Sequence, residues 1–211
     1  MKYGLAMPLA LVLCVSCPVA YGQMLSPECG ELANAYGPFD YRTQTRELVI
    51  VERVHFTPQI ESLERGRTST TAGGDIDYTL RASPNHHRAL KAMMDLGRKE
   101  KRSTPAGSRY SISCWFQRAE VFRPDDAMVK VLHGIFLLRS GKSGEAIAKL
   151  EQGAALDESD ANIQYNLGLA YLDAGQHEKA LQSAHRAYAA GFPLLGLRDK
   201  LKRMGKWREA Q

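Results

Sequence analysis

Five side chains in the N-terminal half have the chemistry to bind a metal ion or transfer protons: His55, Asp75, Asp77, His86 and His87. The last two are adjacent, and on a helix their side chains would point about 100° apart. Zinc sites on helices instead use spacings such as i, i+4. Asp75 and Asp77 could face one side of an extended segment, but no third and fourth ligand is evident. We therefore interpret these residues as polar groups of helix starts and loops, with a metal site as the alternative.

Common catalytic motifs are missing from the sequence. It contains neither G-x-S-x-G nor a phosphate-binding loop, and no cysteine of the mature chain lies beside a plausible base motif. We therefore predict no catalytic residue and no cofactor, and we expect a protein that is not an enzyme.

The first 22 residues have the order of a secretory signal peptide. Lys2 precedes an apolar run at 5–15, and small residues stand at Ala20 and Gly22. The apolar run is shorter than the ~20 residues that span a bilayer. We expect cleavage before Gln23, a periplasmic protein, and no transmembrane segment in the mature chain.

Cysteine positions bear on both the export route and the fold. Val15-Ser16-Cys17 resembles the end of a lipobox, so a lipoprotein anchored at Cys17 is the alternative to a soluble exported protein. After cleavage before residue 23 only Cys29 and Cys114 remain. Two cysteines in an oxidising compartment predict one disulfide, while two buried thiols are the other reading.

An internal repeat of 34 residues occupies 127–194. The second copy reads YNLGLAY from Tyr165, which resembles the tetratricopeptide repeat (TPR), whose period is also 34. The resemblance implies two antiparallel helices in each copy, at 127–160 and 161–194. Small residues recur at this offset and would let paired helices approach closely: Gly134 and Gly168, Gly141 and Gly175, Ala146 and Ala180.

Two such repeats need more helices at their ends, because about three stacked units are required for a continuous core. Residues 85–126 resemble a degenerate TPR-like pair, whose first helix would be capped by Asn85 and ended by Gly97. A basic insertion, 98–109, separates it from the second helix. Residues 195–211 predict a basic capping helix; with Leu194 included, its apolar side is Leu194, Leu195, Leu197 and Leu201.

Residues 23–84 do not follow the repeat. Thr57-Pro58 is typical of a helix start, and Gly66 of its end. Residues 48–51 form either a short strand or part of a helix, and residues 73–80 resemble a loop that enters an extended segment. The predicted fold is therefore all-α, a TPR-type α-solenoid of antiparallel helix pairs with an irregular N-terminal segment that includes a short strand as one option.

Basic residues are concentrated in two places, although the 211-residue chain has a net charge of only +5. Residues 81–110 hold eight basic and two acidic side chains, and residues 195–211 hold six and two. This uneven distribution, export and the lack of a nucleic-acid motif argue against nucleic acid as a partner. Contact of 98–109 and 195–211 with acidic surfaces is one use of these charges, and solvation is the other.

The TPR resemblance implies a concave surface lined by the first helix of each copy. Its residues are mostly apolar, which suits an extended or helical segment with aliphatic anchors, or internal packing. We predict an exported adaptor for protein–protein interaction in the cell envelope; the alternative is a ligand- or metal-binding periplasmic protein that uses the His and Asp residues. The predicted groove residues are Met128, Val131, Ile135, Leu138, Arg139, Asn162, Tyr165, Asn166, Leu169, Leu172 and Asp173.

Overall fold

The computed structural model describes residues 24–64, 66 and 71–209. Within these ranges the chain is all-helical and has no strand, which confirms the predicted fold class. The predicted signal peptide and the alternative lipid site Cys17 lie outside the described residues. After a 3-10 turn at Pro27–Cys29, the helices are α1 Thr45–His55, α2 Pro58–Glu61, α3 Ala72–Ala82, α4 His87–Glu100, α5 Ile112–Phe122, α6 Ala127–Arg139, α7 Ser143–Leu156, α8 Ala161–Asp173, α9 His177–Ala189 and α10 Gly196–Arg203.

Helices pack in adjacent pairs. The pairs α6–α7 and α8–α9 have the most extensive contacts, and α4 contacts α5 across the insertion. The turns within α6–α7 and α8–α9 contain Gly141 and Gly175, whose φ angles of 75° and 72° favour glycine. In addition, α4 contacts α6, α6 contacts α8, and α8 contacts α10. We call α4, α6 and α8 the first-helix row. No helix in the described ranges is long and apolar enough to cross a membrane.

Two hydrophobic cores meet at α6. The first surrounds Trp115 and Phe116 of α5, and the second lies between α7, α8, α9 and α10. Met128 and Ile135 of α6 are half-buried and pack against both cores. This helix therefore joins the repeat region to the N-terminal half.

The N-terminal segment is more regular than predicted. Residues 48–51 belong to helix α1 and not to a strand, because Leu48 and Val51 point into a small core with Ala82. The expected loop and extended segment at 73–80 is helix α3, whose N-cap Thr71 accepts a hydrogen bond from Gly74 N. Two adjacent glycines suggested a loop, but Gly73 has a packing role. A Cβ there would lie 2.1 Å from the Ala106 carbonyl oxygen.

The helix that begins after Thr57 is shorter than predicted. Thr57 is its N-cap and Pro58 its first residue, as expected, but α2 ends at Glu61 and not at Gly66. Leu63 adopts a positive φ of 62° immediately after it. This left-handed conformation redirects the chain after a single helical turn.

Both ends predicted for α4 were displaced. The N-cap is His86, whose Nδ1 accepts from Ala89 N, and Asn85 is instead fully buried in a polar contact described below. The helix continues through Gly97 to Glu100 and ends at Lys101, which is left-handed. Gly97 serves close packing, because a Cβ would lie 2.3 Å from Ile112 Cδ1. The insertion consequently begins at 101 and not at 98.

The last helix is shorter than the apolar pattern suggests. It runs from Gly196 to Arg203, and only Leu197 and Leu201 are buried against α8 and α9. Leu194 and Leu195 precede it and are exposed, so the prediction that they pack with the helix was wrong. Helix α10 begins at Gly196, after both leucines, so neither belongs to its apolar side.

The N-terminal segment is attached to α5 by a disulfide and by a buried arginine. Cys29 and Cys114 are bonded, which confirms the predicted pair. Arg118 is 1% exposed, and its Nη1 donates to the carbonyl oxygens of Cys29 and Glu31 at 2.8 and 2.7 Å. Its guanidinium also lies over the ring of Tyr110. Residues 24–31 are therefore fixed to the helical body by covalent and polar contacts together.

Candidate functional site

The first-helix row carries a strip of half-buried apolar side chains. Met128, Ile135 and Leu138 lie on α6, and Leu169 lies on the neighbouring α8. Each packs against the core with part of its surface and leaves the rest accessible. We call these four residues the apolar strip. It is apolar surface that is accessible in the folded protein.

Two of the predicted groove residues are core residues. Val131 is fully buried and Leu172 is 7% exposed, and both belong to the repeat core. Their burial in this core contradicts the prediction that they face a ligand. The helical period places them beside true surface positions, and the sequence alone could not separate the two.

Tyr165 is covered in part by the protein itself. Its ring stacks on Phe192 with 4.2 Å between centroids, and its hydroxyl lies close to Gly196. The segment between α9 and α10 therefore closes one end of the strip. For this residue, internal packing accounts for the aromatic side chain.

The polar residues on α8 interact with one another. Asn166 Nδ2 donates to both the carbonyl oxygen and the side-chain Oδ1 of Asn162, at 2.8 Å in each case. Both asparagines are half-buried, and Asp173 at the end of the helix is exposed. These groups form a polar margin beside Leu169.

The row becomes charged toward α4. Arg139, at the end of α6, donates through Nη1 to Asp95 Oδ1 at 3.0 Å. Asp95 also accepts from Lys91 at 2.7 Å. Partial burial alone would raise the pKa of Asp95, but the charges and hydrogen bonds of Lys91 and Arg139 together outweigh burial and lower the pKa. Arg139 thus connects the apolar strip to a polar surface on α4.

A pocket of about 340 Å³ opens beside Arg139, between the ends of α4 and α6 and the start of α5. Its floor is formed by Met94, Ile112 and Phe136. These residues could not be grouped from the sequence, because they belong to three separate helices. The sequence feature that pointed to this region is the basic insertion between α4 and α5. The polar groups around the floor are Arg98, Lys101, Arg102, Ser103, Arg139 and Ser140.

The candidate metal ligands are dispersed over separate contacts. His55 Nδ1 lies 2.9 Å from Asp75 Oδ1, and its ring stacks on Tyr78. Asp77 accepts from Arg81 and from Arg109 N. Among the described residues, no three His, Cys, Asp or Glu side chains come together as a metal site would require.

The adjacent histidines point to different carboxylates: His86 is the extended N-cap of α4, and only His87 lies within the helix. His86 Nε2 lies 2.9 Å from Glu52 Oε1, and His87 Nε2 lies 2.9 Å from Asp126 Oδ2. Burial lowers the pKa of His86 despite the opposing effect of Glu52. A neutral His86 accepts the hydrogen bond that caps α4, so its role in this structure is a structural one.

Comparison with known families agrees with the repeat architecture. The family model described as TPR repeat matches residues 137–175, which cover the end of α6, all of α7 and α8, and the turn before α9. No curated protein matches the chain. This match and the all-helical fold of adjacent helix pairs together support a TPR-type helical repeat.

Proposed function

We propose that this protein is an exported adaptor that binds a peptide or helical segment of a partner protein on the apolar strip. A role in protein–protein interaction follows from the TPR repeat. The proposal adds the location and the binding surface. The observation that supports it is the half-buried state of Met128, Ile135, Leu138 and Leu169 on adjacent helices of the row.

The spacing of the strip suits a segment with aliphatic anchors. Ile135 and Leu138 are three residues apart and share a face of α6. Leu169 is 34 positions after Ile135, so it has the equivalent place on α8. A partner that lies across α6 and α8 would contact equivalent positions of two repeats, which is the way solenoid surfaces bind extended ligands.

Export is supported by the disulfide and by the order of the first 22 residues. Bonded cysteines hint at an oxidising compartment. We expect mass spectrometry of the protein from its own cells to show a mature chain that begins at Gln23. A chain that retains residue 1, or one that carries lipid at Cys17, would contradict this part of the proposal.

Site-specific photo-crosslinking tests the binding surface. A photoreactive amino acid in place of Leu138 or Leu169 is expected to produce adducts with the same partner in living cells. The matched control is the same amino acid in place of Leu156, which is 48% exposed but lies at the end of α7, outside the row. Adducts of equal yield from all three positions, or adducts from the control alone, would exclude the apolar strip.

A second experiment uses Leu169→Glu, with Leu156→Glu as its control. Burying a carboxylate at the interface should weaken binding of the captured partner at least tenfold, since it costs several kcal/mol to desolvate. The control exposes the same new charge elsewhere and should bind normally. Circular dichroism of both variants checks that the helices remain folded. Unchanged affinity in the folded Leu169→Glu variant would contradict the proposal.

A further inference from the structure

The pocket beside Arg139 combines an apolar floor with a basic rim. Met94 and Ile112 are each 4% exposed, and Phe136 is half-buried, so the floor is a fixed part of the first core. Its volume of about 340 Å³ is near the lower end of the ~300–1,000 Å³ typical of ligand pockets. It therefore has room for one large apolar side chain.

The rim charges are largely unneutralised. Arg98 lies 3.7 Å from Asp95, and Arg139 lies 3.0 Å from the same carboxylate. Lys101 and Arg102 have no ion-pair partner among the described residues. The C-terminal ends of helices α4 and α6 each contribute a partial charge of only about −0.5. Four cations and one carboxylate thus leave the entrance positive.

The backbone fixes this arrangement. Gly97 lets the chain turn back so closely that Arg102 N donates to the Gly97 carbonyl oxygen at 2.9 Å. Lys101 in its left-handed conformation forms the tight turn between them. The two unpaired cations consequently lie on a short, packed turn above Ile112, and not on a long free loop.

We propose that this pocket binds an apolar side chain flanked by acidic residues in the partner protein. The inference rests on the proposed function, because Arg139 belongs both to the pocket and to the predicted groove. A segment that crosses from Leu169 of α8 over Leu138 of α6 would reach the pocket beside Arg139, the next residue of α6. The floor would bury the apolar side chain, and the rim would attract the neighbouring carboxylates.

A peptide array provides the test. Each peptide carries one phenylalanine or leucine flanked by aspartates, by serines or by lysines, and a further set replaces the apolar residue with serine. We expect the purified mature protein to prefer the apolar residue with aspartates. The preference over lysine flanks should decrease as salt is raised, because exposed charges are screened.

Two charge-reversal variants locate the preference. Lys101→Glu with Arg102→Glu changes the rim and is expected to reduce the preference for acidic flanks roughly tenfold, because two attractive charges become repulsive. Lys200→Glu with Lys206→Glu makes the same change of charge on α10 and the segment after it, where both side chains are exposed. This control should retain the preference.

The outcomes separate this inference from the proposed function. Loss of the preference only in the rim variant supports it. Equal loss in both variants would show non-specific attraction to basic charge, and an absent preference in the folded wild-type protein would overturn the inference directly. If Leu169→Glu abolishes binding of the captured partner while the rim variant binds it normally, the apolar strip remains and the acidic subsite is excluded.

Discussion

Gly134 of α6 and Leu150 of α7 pack so closely that no side chain fits between the two helices. A Cβ on Gly134 would lie 2.6 Å from Leu150 Cγ, and Leu150 is fully buried. We expect Gly134→Ala to lower the free energy of unfolding by about 1–2 kcal/mol. Overpacking costs ~1–3 kcal/mol, and the better helix propensity of alanine offsets part of it. Urea unfolding measures the difference.

Gly144→Ala is the control for this substitution. Gly144 lies in the first turn of α7, and no atom lies within 4 Å of the place where its Cβ would be. Alanine there should stabilise the protein by up to about 1 kcal/mol. Equal effects of the two substitutions would show that the close packing at Gly134 does not limit stability.

The repeat pattern predicts which positions are small, but not always what they contact. Gly134 packs against its own partner helix, as the sequence suggests. Gly168 has the equivalent position in the next copy, yet a Cβ there would lie 2.4 Å from Leu197 Cδ2 of α10. The contact depends on which helix follows in the stack. Helix α10 does not follow the 34-residue repeat, so the repeat pattern could not predict its contact with Gly168.

Reduction of the disulfide is expected to destabilise the protein by about 4 kcal/mol. Cys29 and Cys114 are 85 residues apart, and opening so long a loop increases the entropy of the unfolded chain. The measurement is the urea midpoint with and without reductant. A Cys29→Ser, Cys114→Ser double variant should have the midpoint of the reduced wild type, both with and without reductant. Two reactive thiols in the unfolded, unreduced protein would contradict the bond.

The buried carboxylate of Glu120 is predicted to make the free energy of unfolding depend on pH in the acidic range. Glu120 is 2% exposed and accepts from Lys130 at 3.0 Å, from Lys149 at 2.6 Å and from His133. Burial alone would raise its pKa, but the hydrogen bonds from His133 and Lys149 outweigh burial and lower the pKa from 4.5 to about 2. The carboxylate therefore favours the folded state while it is charged.

The sign of this effect follows from the direction of the shift. Above pH 5 Glu120 is ionised in both states and its contribution is complete. Between about pH 4.5 and 2 the unfolded chain binds a proton that the folded protein does not, so roughly 3 kcal/mol is lost as the pH falls. Urea unfolding at several pH values should show a weaker acid dependence for Glu120→Gln than for the wild type.

Glu145→Gln serves as the matched control for Glu120→Gln. The Glu145 side chain is 60% exposed, and its ion pair with Lys142 is on the surface. Such pairs contribute about 0–1 kcal/mol, so the control should follow the wild type at every pH. If the free energy of unfolding falls equally with pH in the wild type and in Glu120→Gln, this buried cluster does not cause the loss of stability in acid.

The candidate site was predictable only in outline. The TPR resemblance assigned residues of α6 to the groove, and Ile135 and Leu138 among them are half-buried on its surface. It could not distinguish the buried Val131 from these neighbours. The pocket depends on residues from α4, α5 and α6 that a packed turn brings together, and no local pattern contains such a long-range contact.

Asn85 connects three parts of the protein through one amide. Its Nδ2 donates to Asp40 Oδ1 and to Asp126 Oδ2 at 2.8 Å each, and its Oδ1 accepts from Tyr41 N at 3.0 Å. The side chain is fully buried between the N-terminal segment and the start of α6. The amide therefore donates to two buried carboxylates, both of which also form ion pairs with Arg42.

Asn85→Asp keeps the shape of this side chain but replaces its donor with a third carboxylate. We expect a loss of about 3 kcal/mol or more at neutral pH, because a buried hydrogen bond to a charged group is lost twice and like charges are brought together. Protonation should restore a donor, so the difference from the wild type narrows in acid. Asn162→Asp is the isosteric control; its oxygen still accepts from Asn166, and a negative charge in the first turn of α8 is favourable. Urea unfolding at neutral and acidic pH compares the two, and equal stability of both variants at neutral pH would show that Asp40 and Asp126 do not depend on the amide.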